Sequence, residues 1–463
     1  MTRLNAKKVV ETIVRQVHSG DLEKAVDFVL DLAAKGIIRD PDNDPAPTAP
    51  SGSIPVYKKS NKKKRHKKPG RKKGHPGASR KIPDKIDKHE EHKLEACPIC
   101  GTPVTDPVAS HVRYIEEIPP VQPVVTEHTI HRYWCTCCHK IVEPVFTEAM
   151  PGDNIGLRVY LFTAYLHYAL GISVGNLVKI LNQLFQFRLS PGALAKGWQR
   201  LAKLLQPEYD DIGERAKNSS LLHLDETGWR VNGITHWLWC FTNKDLCYYV
   251  IDKSRGSAVI KRVLGEIFRG TLISDFFSAY NKFQAWAKQK CLFHLFTELE
   301  RVAARNYSPQ WQRYRRALYS LLKQAVKLWK IQPDISKEHF QARRRSIEKQ
   351  FDRLIKADYA DDDCRRLCRR LQKHRQAIFT FLYQEGVSPY NNHAEQQMRK
   401  PVLARRICQQ NRSQKGAETQ AVLMSIFRIA ELRGENAILY AEKLLKNQLR
   451  ENVITKNKSQ KAA

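Results

Sequence analysis

No uninterrupted apolar run in this chain of 463 residues reaches the roughly 20 residues that a membrane-crossing helix needs, and no apolar leader opens it. A helical span and an export signal are therefore not expected, and the expected compartment is cytoplasmic. Without export, the eleven cysteines are not expected to form a disulfide framework, which leaves metal binding or plain buried thiols. Acidic residues are scarce as well: 47 Asp and Glu stand against 79 Lys and Arg, a formal charge of +32. An excess of that size describes partners rather than fold, and it favours nucleic acid or another polyanion. No serine, tyrosine or cysteine nucleophile motif stands out, so chemistry through a covalent protein intermediate is not expected. What is present is enough apolar sequence, 42%, for real cores, in a length that implies two to four domains.

Residues 1–39 read as a helical segment. Val9, Ile13, Val14 and Val17, then Leu22, Val26, Val29 and Leu30, recur at helical spacing on either side of a break at Ser19-Gly20-Asp21. Such a pair could dimerise or pack on its own chain. Residues 40–92 form a flexible basic linker. "PDNDPAPTAPSGSIP" is Pro/Ser-rich, and "KKSNKKKRHKKPGRKKGHPGASRK" has too much like charge and too little apolar surface for a core. Lys62, Lys63, Lys64, Arg65, Lys67, Lys68, Arg71, Lys72 and Lys73 read as a DNA-backbone arm, with a solvated tether as the alternative.

In residues 93–148, "ACPICGTPV" and "YWCTCCHK" each carry a Cys-x-x-Cys pair. The two-residue gap makes a tight turn that aims both thiolates at one edge of a tetrahedral zinc ion, so Cys97, Cys100, Cys135 and Cys138 form the natural ligand set. Cys137 and His139 compete as ligands, and buried structural thiols are the alternative. The intervening "RYIEEIPPVQPVVTEHTIHRYW" reads as strand, giving a zinc-ribbon-like module. Residues 149–215 read as a helical domain. Within it "VGNLVKILNQLFQFRLSPGALAKGWQRL" suggests a helix, a turn and a second helix starting at Ser190-Pro191, either a helix-turn-helix reader or a plain hairpin.

From Ser219 the period becomes strand-like. "SLLHLDETGWRVNG", "THWLWCFTN" and "LCYYVIDKS" are joined by hairpin signals at Asn232-Gly233 and Asn243-Lys244-Asp245; a helix and a fourth strand, "GTLISDFFSAY", follow. Three antiparallel strands, a crossover helix and a parallel strand are the order that opens the ribonuclease H-like fold. In that order Asp225, within the first strand, and Asp275, ending the fourth, converge. Converging carboxylates repel unless a cation neutralises them, and Mg²⁺ is the expected ion. Glu395, in "SPYNNHAEQQMRKPVLARR", is the candidate third carboxylate, set among Arg399, Lys400, Arg405 and Arg406. Each acid also has an ordinary reading: a turn cap for Asp225, with Glu226 as its rival, a strand-end acid for Asp275, and a capping box on Asn392 for Glu395. The core is expected in two parts, 216–300 and 387–440. An all-helical insertion over 301–386, with Leu318, Leu321 and Leu322 in its interior, separates them, and a basic tail covers 441–463. The fold class expected is thus α/β.

"PGRKKGHPG", the paired knuckles, "HLDETGWRV", "LISDFFSAY", "CLFHL", "NNHAEQQMRKPV" and "RSQKGAETQAVL" occur in the order found in transposases of insertion-sequence family 66, which this chain resembles from about Pro55 to Leu439. The chain departs from the family pattern where Lys400 displaces the proline usual after the motif arginine. It departs again in "CLFHLFTELE", which lacks a basic residue after His294, so His294 takes no role from the resemblance. The resemblance implies a DDE transposase with Asp225, Asp275 and Glu395 as catalytic triad, two Mg²⁺ or Mn²⁺ ions, and one structural Zn²⁺ on Cys97, Cys100, Cys135 and Cys138. Arg399, Arg405 and Arg406 would meet phosphates. Implied partners are double-stranded transposon ends and target DNA, further copies of the chain on that DNA, and small accessory proteins of the element, all at a bacterial nucleoid. The competing readings are a non-catalytic, zinc-containing DNA-binding regulator and a ribonuclease H-like nuclease without strand transfer.

Overall fold

The computed structural model describes residues 75, 82–408 and 411–459. The expected N-terminal helices and the basic stretch from Lys62 to Lys73 lie outside the described residues. The chain divides into two compact units, 1–117 and 118–463. In the first, the chain folds back at Cys97: Gly101 N–H donates to the Cys97 carbonyl and Cys97 N–H to the Thr102 carbonyl, both at 2.8 Å. Gly101 takes φ 73°, a left-handed conformation that glycine adopts without steric cost.

The second unit opens with a two-stranded hairpin, β1 (Tyr133–Cys135) and β2 (Lys140–Val142). The strand expected over Arg113–Trp134 forms only at its last residues. Pro119, Pro120 and Pro123 remove three backbone donors from a segment that no neighbouring strand pairs. Helices α1 (Leu157–Ala164), α2 (Val174–Phe185) and α3 (Pro191–Lys217) follow. The Ser190 hydroxyl accepts from Ala193 N–H and Pro191 opens α3, as the sequence predicts.

Then comes a five-stranded mixed sheet with β3 (Leu221–Val231), β4 (Ile234–Thr242), β5 (Cys247–Asp252), helix α4 (Ser257–Leu264), β6 (Ile267–Ser274), short helix α5 (Ser278–Lys282) and β7 (Gln284–Lys290). The strand order is β5-β4-β3-β6-β7; the first three pair antiparallel, while β6 runs parallel to β3 and β7 parallel to β6. Asn232 and Gly233 both take positive φ, 49° and 74°, which closes the β3–β4 turn as Asn-Gly predicts. At the next turn Asn243 Oδ1 accepts from the amides of Asp245 and Leu246.

Period-two alternation assigns the two sheet faces. Leu222, Leu224 and Leu272 enter one core with α1–α3 and with α11 (Gln414–Leu432) and α12 (Ala437–Ser459). Ile273, with Leu221 against it, enters a second core built by α6 (Leu292–Ala303), α7 (Pro309–Lys330), α8 (Lys337–Lys356) and α9 (Asp362–Lys373). Leu318, Leu321 and Leu322 are buried there, as predicted. The helix expected to run on to Tyr383 stops at Lys373. Beyond it the chain is drawn onto β7, where Gln289 Nε2 donates to the Ile378 carbonyl, Phe381 N–H to Gln289 Oε1, and Thr380 Oγ1 to the Lys288 carbonyl. These bonds satisfy both ends of the Gln289 amide and the Lys288 carbonyl, and tertiary pairing overrides helix propensity. Helix α10 (Asn392–Cys408) returns across the sheet, and α11 ends at Leu432, two residues before Gly434 takes φ 71°, close to the predicted stop.

Burial holds the His374 imidazole down to about 4, with help from Lys290, Lys373, Arg370 and Lys288, and it lowers His167 as well. The unfolded chain, with a value near 6.5, therefore binds these protons more readily than the folded one. Stability should be complete above about pH 6.5 and fall as the pH drops toward 4. Urea unfolding at a series of pH values checks this; His374→Asn should flatten the decline.

Candidate functional site

In β3 and β6 the parallel register pairs His223 with Ile273, and Asp225 and Asp275 each lie two residues further on. The two residues therefore stand level, Asp225 in the middle of β3 and Asp275 just past the end of β6, on neighbouring strands whose usual spacing is about 4.8 Å. Alternation also separates Asp225 from its rival Glu226. Asp225 follows Leu221 and Ile273 toward the second core, whereas Glu226 shares the face of Leu222 and Leu224. There Glu226, 3% exposed, pairs with the Arg255 guanidinium at 2.8 Å and accepts from Tyr280 Oη. Glu226 is thus a neutralised structural acid. Its carboxyl is still raised to about 7, by burial first and then by the charge of Asp275.

Asp225 and Asp275 form no ion pair with a basic side chain among the described residues. Their oxygens accept backbone amides instead, Glu226 N–H at 3.0 Å and Phe277 N–H at 2.8 Å. Burial, and then the charges of Glu226, Asp275 and Glu395, push the Asp225 carboxyl well above the usual range. Behind Asp275 sits a fully buried lysine, Lys290, whose Nζ donates to the Asp275 carbonyl at 2.7 Å and to Ser274 Oγ. Burial lowers that amine to about 7 against the pull of Asp275.

The third acid arrives on α10, and Asn391, the residue just before the helix, locks it in place. Asn391 is 1% exposed; its Nδ2 donates to the Leu224 carbonyl at 2.7 Å, and its Oδ1 accepts from His223 Nδ1 at 3.1 Å. That arrangement puts the proton of neutral His223 on Nδ1. Glu395, one turn along, donates its amide to the Asn391 carbonyl, but its Oε1 is buried with no hydrogen-bond partner. The capping-box role is therefore not the one this oxygen performs. An orphaned carboxylate oxygen, two unpaired aspartates and a mutually repelling cluster of hard oxygen donors fit a divalent cation.

Of the predicted phosphate-binding arginines, Arg399 and Arg406 are exposed on α10. Arg405 Nη1 instead donates to Thr227 Oγ1 and the Gly228 carbonyl, tying α10 to β3. Lys400, the departure from the motif, pairs with Glu431 at 2.6 Å. Sequence reasoning missed Asn391, His223 and Lys290. The doubled asparagine of "PYNNHAE" and the Lys290-Cys291 step at the end of a strand carried a signal only once their partners were known.

Among the predicted zinc ligands, Cys100 Sγ lies 3.4 Å from Thr102 Oγ1. Hydrogen bonds from Thr102, then Cys97, lower its thiol to about 7, toward the thiolate a metal needs. In the β1–β2 turn Cys138 N–H points at Cys135 Sγ at 3.4 Å, and His139 takes φ 49°. An amide aimed at sulfur and a left-handed residue closing the turn are what a metal-binding knuckle requires. No helix among the described residues is long and apolar enough to cross a membrane.

A mixed α/β core and Cys-x-x-Cys turns on a strongly basic chain are the features a DNA-processing protein would combine. The model of the transposase IS66 family matches residues 156–419, and that of the zinc-finger binding domain of transposase IS66 matches residues 95–139. The chain belongs to the IS66 transposase family: it is a transposase by family, with a zinc-finger domain and DNA as its partner. No curated protein matches the chain.

Proposed function

We propose that the protein is a DDE-type transposase that cleaves DNA at the ends of its element and joins them to target DNA, with Asp225, Asp275 and Glu395 as the reacting site. What supports this is the level register of Asp225 and Asp275 on neighbouring parallel strands β3 and β6, with Glu395 on α10 close enough for its charge to raise the Asp225 carboxyl. The strand order β5-β4-β3-β6-β7 supports a ribonuclease H-like core, with α7–α9 inside the helical insertion expected over 301–386.

The three carboxylates would hold two divalent ions, which when bound supply an activated water and neutralise charge building on the scissile phosphate. Asp225 and Asp275 keep their orientation through the Glu226 and Phe277 amides, and Lys290 pins the backbone carrying Asp275. Arg399 and Arg406, exposed on the same helix as Glu395, would grip flanking phosphates. Hydrolysis of one phosphodiester frees a 3′-hydroxyl, and in-line attack of that hydroxyl on a target phosphodiester would form the new P–O bond while the target strand's own 3′-oxygen leaves as a hydroxyl, joining the strands. One structural zinc on Cys97, Cys100, Cys135 and Cys138 would stiffen the module that helps seat the ends, and the basic arm from Lys62 to Lys73 would hold the DNA backbone. Copies of the chain would pair on the two ends, with accessory proteins of the element as further partners.

The test incubates purified protein with supercoiled plasmid bearing the element's own ends. Cleavage at those ends in Mg²⁺ or Mn²⁺, its loss in EDTA and the appearance of joined products are expected. Cleavage without joined products would make the protein a nuclease, and tight binding without cleavage a regulator.

A further inference from the structure

His294 Nδ1 and Glu395 Oε1 face each other at 3.9 Å, beyond hydrogen-bond reach, and both atoms are buried with no hydrogen-bond partner. The sulfur of Cys291 completes a triangle in which all three donor atoms lie within 4.8 Å of one another. The backbone fixes this arrangement. Cys291 directly precedes α6, His294 lies in the first turn of α6, and Glu395 lies in the first turn of α10. Leu292 N–H donates to the Pro389 carbonyl at 2.9 Å, and Asn391 N–H points at Cys291 Sγ at 3.2 Å, so the two helix starts are joined beside the three donors.

Sulfur, imidazole nitrogen and carboxylate oxygen together form a donor set that Mg²⁺ disfavours and that ions of the zinc class accept. Such an ion sits about 2.0–2.3 Å from each donor, which places tetrahedral donors roughly 3.3–3.8 Å apart. The triangle needs only a small contraction to meet that geometry. Two polar atoms buried face to face without partners are costly when empty, and a shared cation removes the cost.

We propose that Cys291, His294 and Glu395 form a site for a borderline transition-metal ion of the zinc class, with a fourth position open to water. It differs in donor chemistry from the all-oxygen pair Asp225 and Asp275, and a bound ion would clamp the start of α6 to the start of α10. The proposal shares Glu395 with the cleavage reading but does not depend on the reaction.

The probe is Co²⁺, added without DNA to the full chain whose cysteine knuckles are already loaded with zinc. Cobalt ranks below zinc in affinity and leaves the knuckles occupied. One equivalent should bind with a visible ligand-field spectrum and a thiolate charge-transfer band, and any further cobalt taken up at the aspartates should lack that band. Cys291→Ser should remove the band, His294→Ala and His294→Gln should each weaken binding by about 10–100-fold, and Asp225→Asn should leave both readouts intact. A wild-type complex without the thiolate band, or His294 variants that bind cobalt like the wild type, would overturn the site and leave His294 and Glu395 as a loose ion pair. Cobalt binding lost in Asp225→Asn would also overturn it, by assigning the ion to the aspartates. Plasmid cleavage, read separately, stands or falls without reference to the cobalt spectra.

Discussion

Asp225→Asn should lower DNA cleavage by on the order of 10³-fold or more and, at the same time, raise the melting temperature of the metal-free protein. The loss follows from removing a charged ligand where no other side chain can substitute, because Glu226 faces the opposite side of the sheet and is held by Arg255 and Tyr280. The gain in stability follows from the same electrostatics. Burial first, and then the charges of Glu226, Asp275 and Glu395, raise the Asp225 carboxyl well above its usual range. A carboxyl whose folded value exceeds its unfolded one costs stability as the pH rises through the unfolded value near 3.9, so at neutral pH this aspartate works against folding. Asparagine keeps an oxygen for the Glu226 amide and carries no charge. Mg²⁺ should raise the melting temperature of the wild type and leave that of Asp225→Asn nearly unchanged. Glu226→Ala should behave in the opposite sense: it strands a part-buried guanidinium, costs about 2–3 kcal/mol, and retains the metal-dependent rise. Plasmid cleavage and thermal unfolding, each with and without Mg²⁺, check all four expectations. Cleavage near the wild-type level in Asp225→Asn would remove it from the site.

Much of the sheet was legible because its signals are local. Asn232-Gly233 and Asn243-Lys244-Asp245 encode their turns within two or three residues, and the runs of β3, β4 and β5 alternate cleanly. Asp225 could be preferred to Glu226 only in outline from the sequence. The decision rests on which face each residue takes, and the buried leucines beside them fix that. The strand expected from Arg113 failed for a local reason, its prolines, which the apolar periodicity masked. The helix expected through Tyr383 failed for a distant one: Gln289 and Lys288, about 90 residues earlier, capture Thr380 and Phe381. Lys290 shows the limit most plainly. A lysine at a strand end reads as solvated until the fold closes over it, and only then does it become the donor that holds the Asp275 carbonyl.

Asn391→Ala should be the most damaging substitution among residues that touch no reacting group. The side chain is fully enclosed and makes two directed bonds to β3, donating to the Leu224 carbonyl and accepting from His223 Nδ1, while its own carbonyl accepts from the Glu395 amide. Truncation leaves a buried carbonyl and a buried imidazole N–H without partners, each costing about 1–3 kcal/mol, so a loss of roughly 2–4 kcal/mol is expected after some relaxation. The same bonds set the distance between α10 and β3. A carboxylate displaced by about 1 Å loses much of its effect, and cleavage should fall by about 10²-fold at temperatures where the variant is still folded. Asn391→Asp separates the two effects. An aspartate can still accept from His223, but it cannot donate to the Leu224 carbonyl, and it adds charge beside Asp225, so it should be at least as unstable as the alanine variant. Raising Mg²⁺ should rescue neither variant fully, because the defect lies in where Glu395 is held and not in how much ion is present. Denaturant unfolding paired with cleavage rates across a Mg²⁺ series provides the measurement. Full recovery of Asn391→Ala at high Mg²⁺ would show that the helix seats itself without this residue.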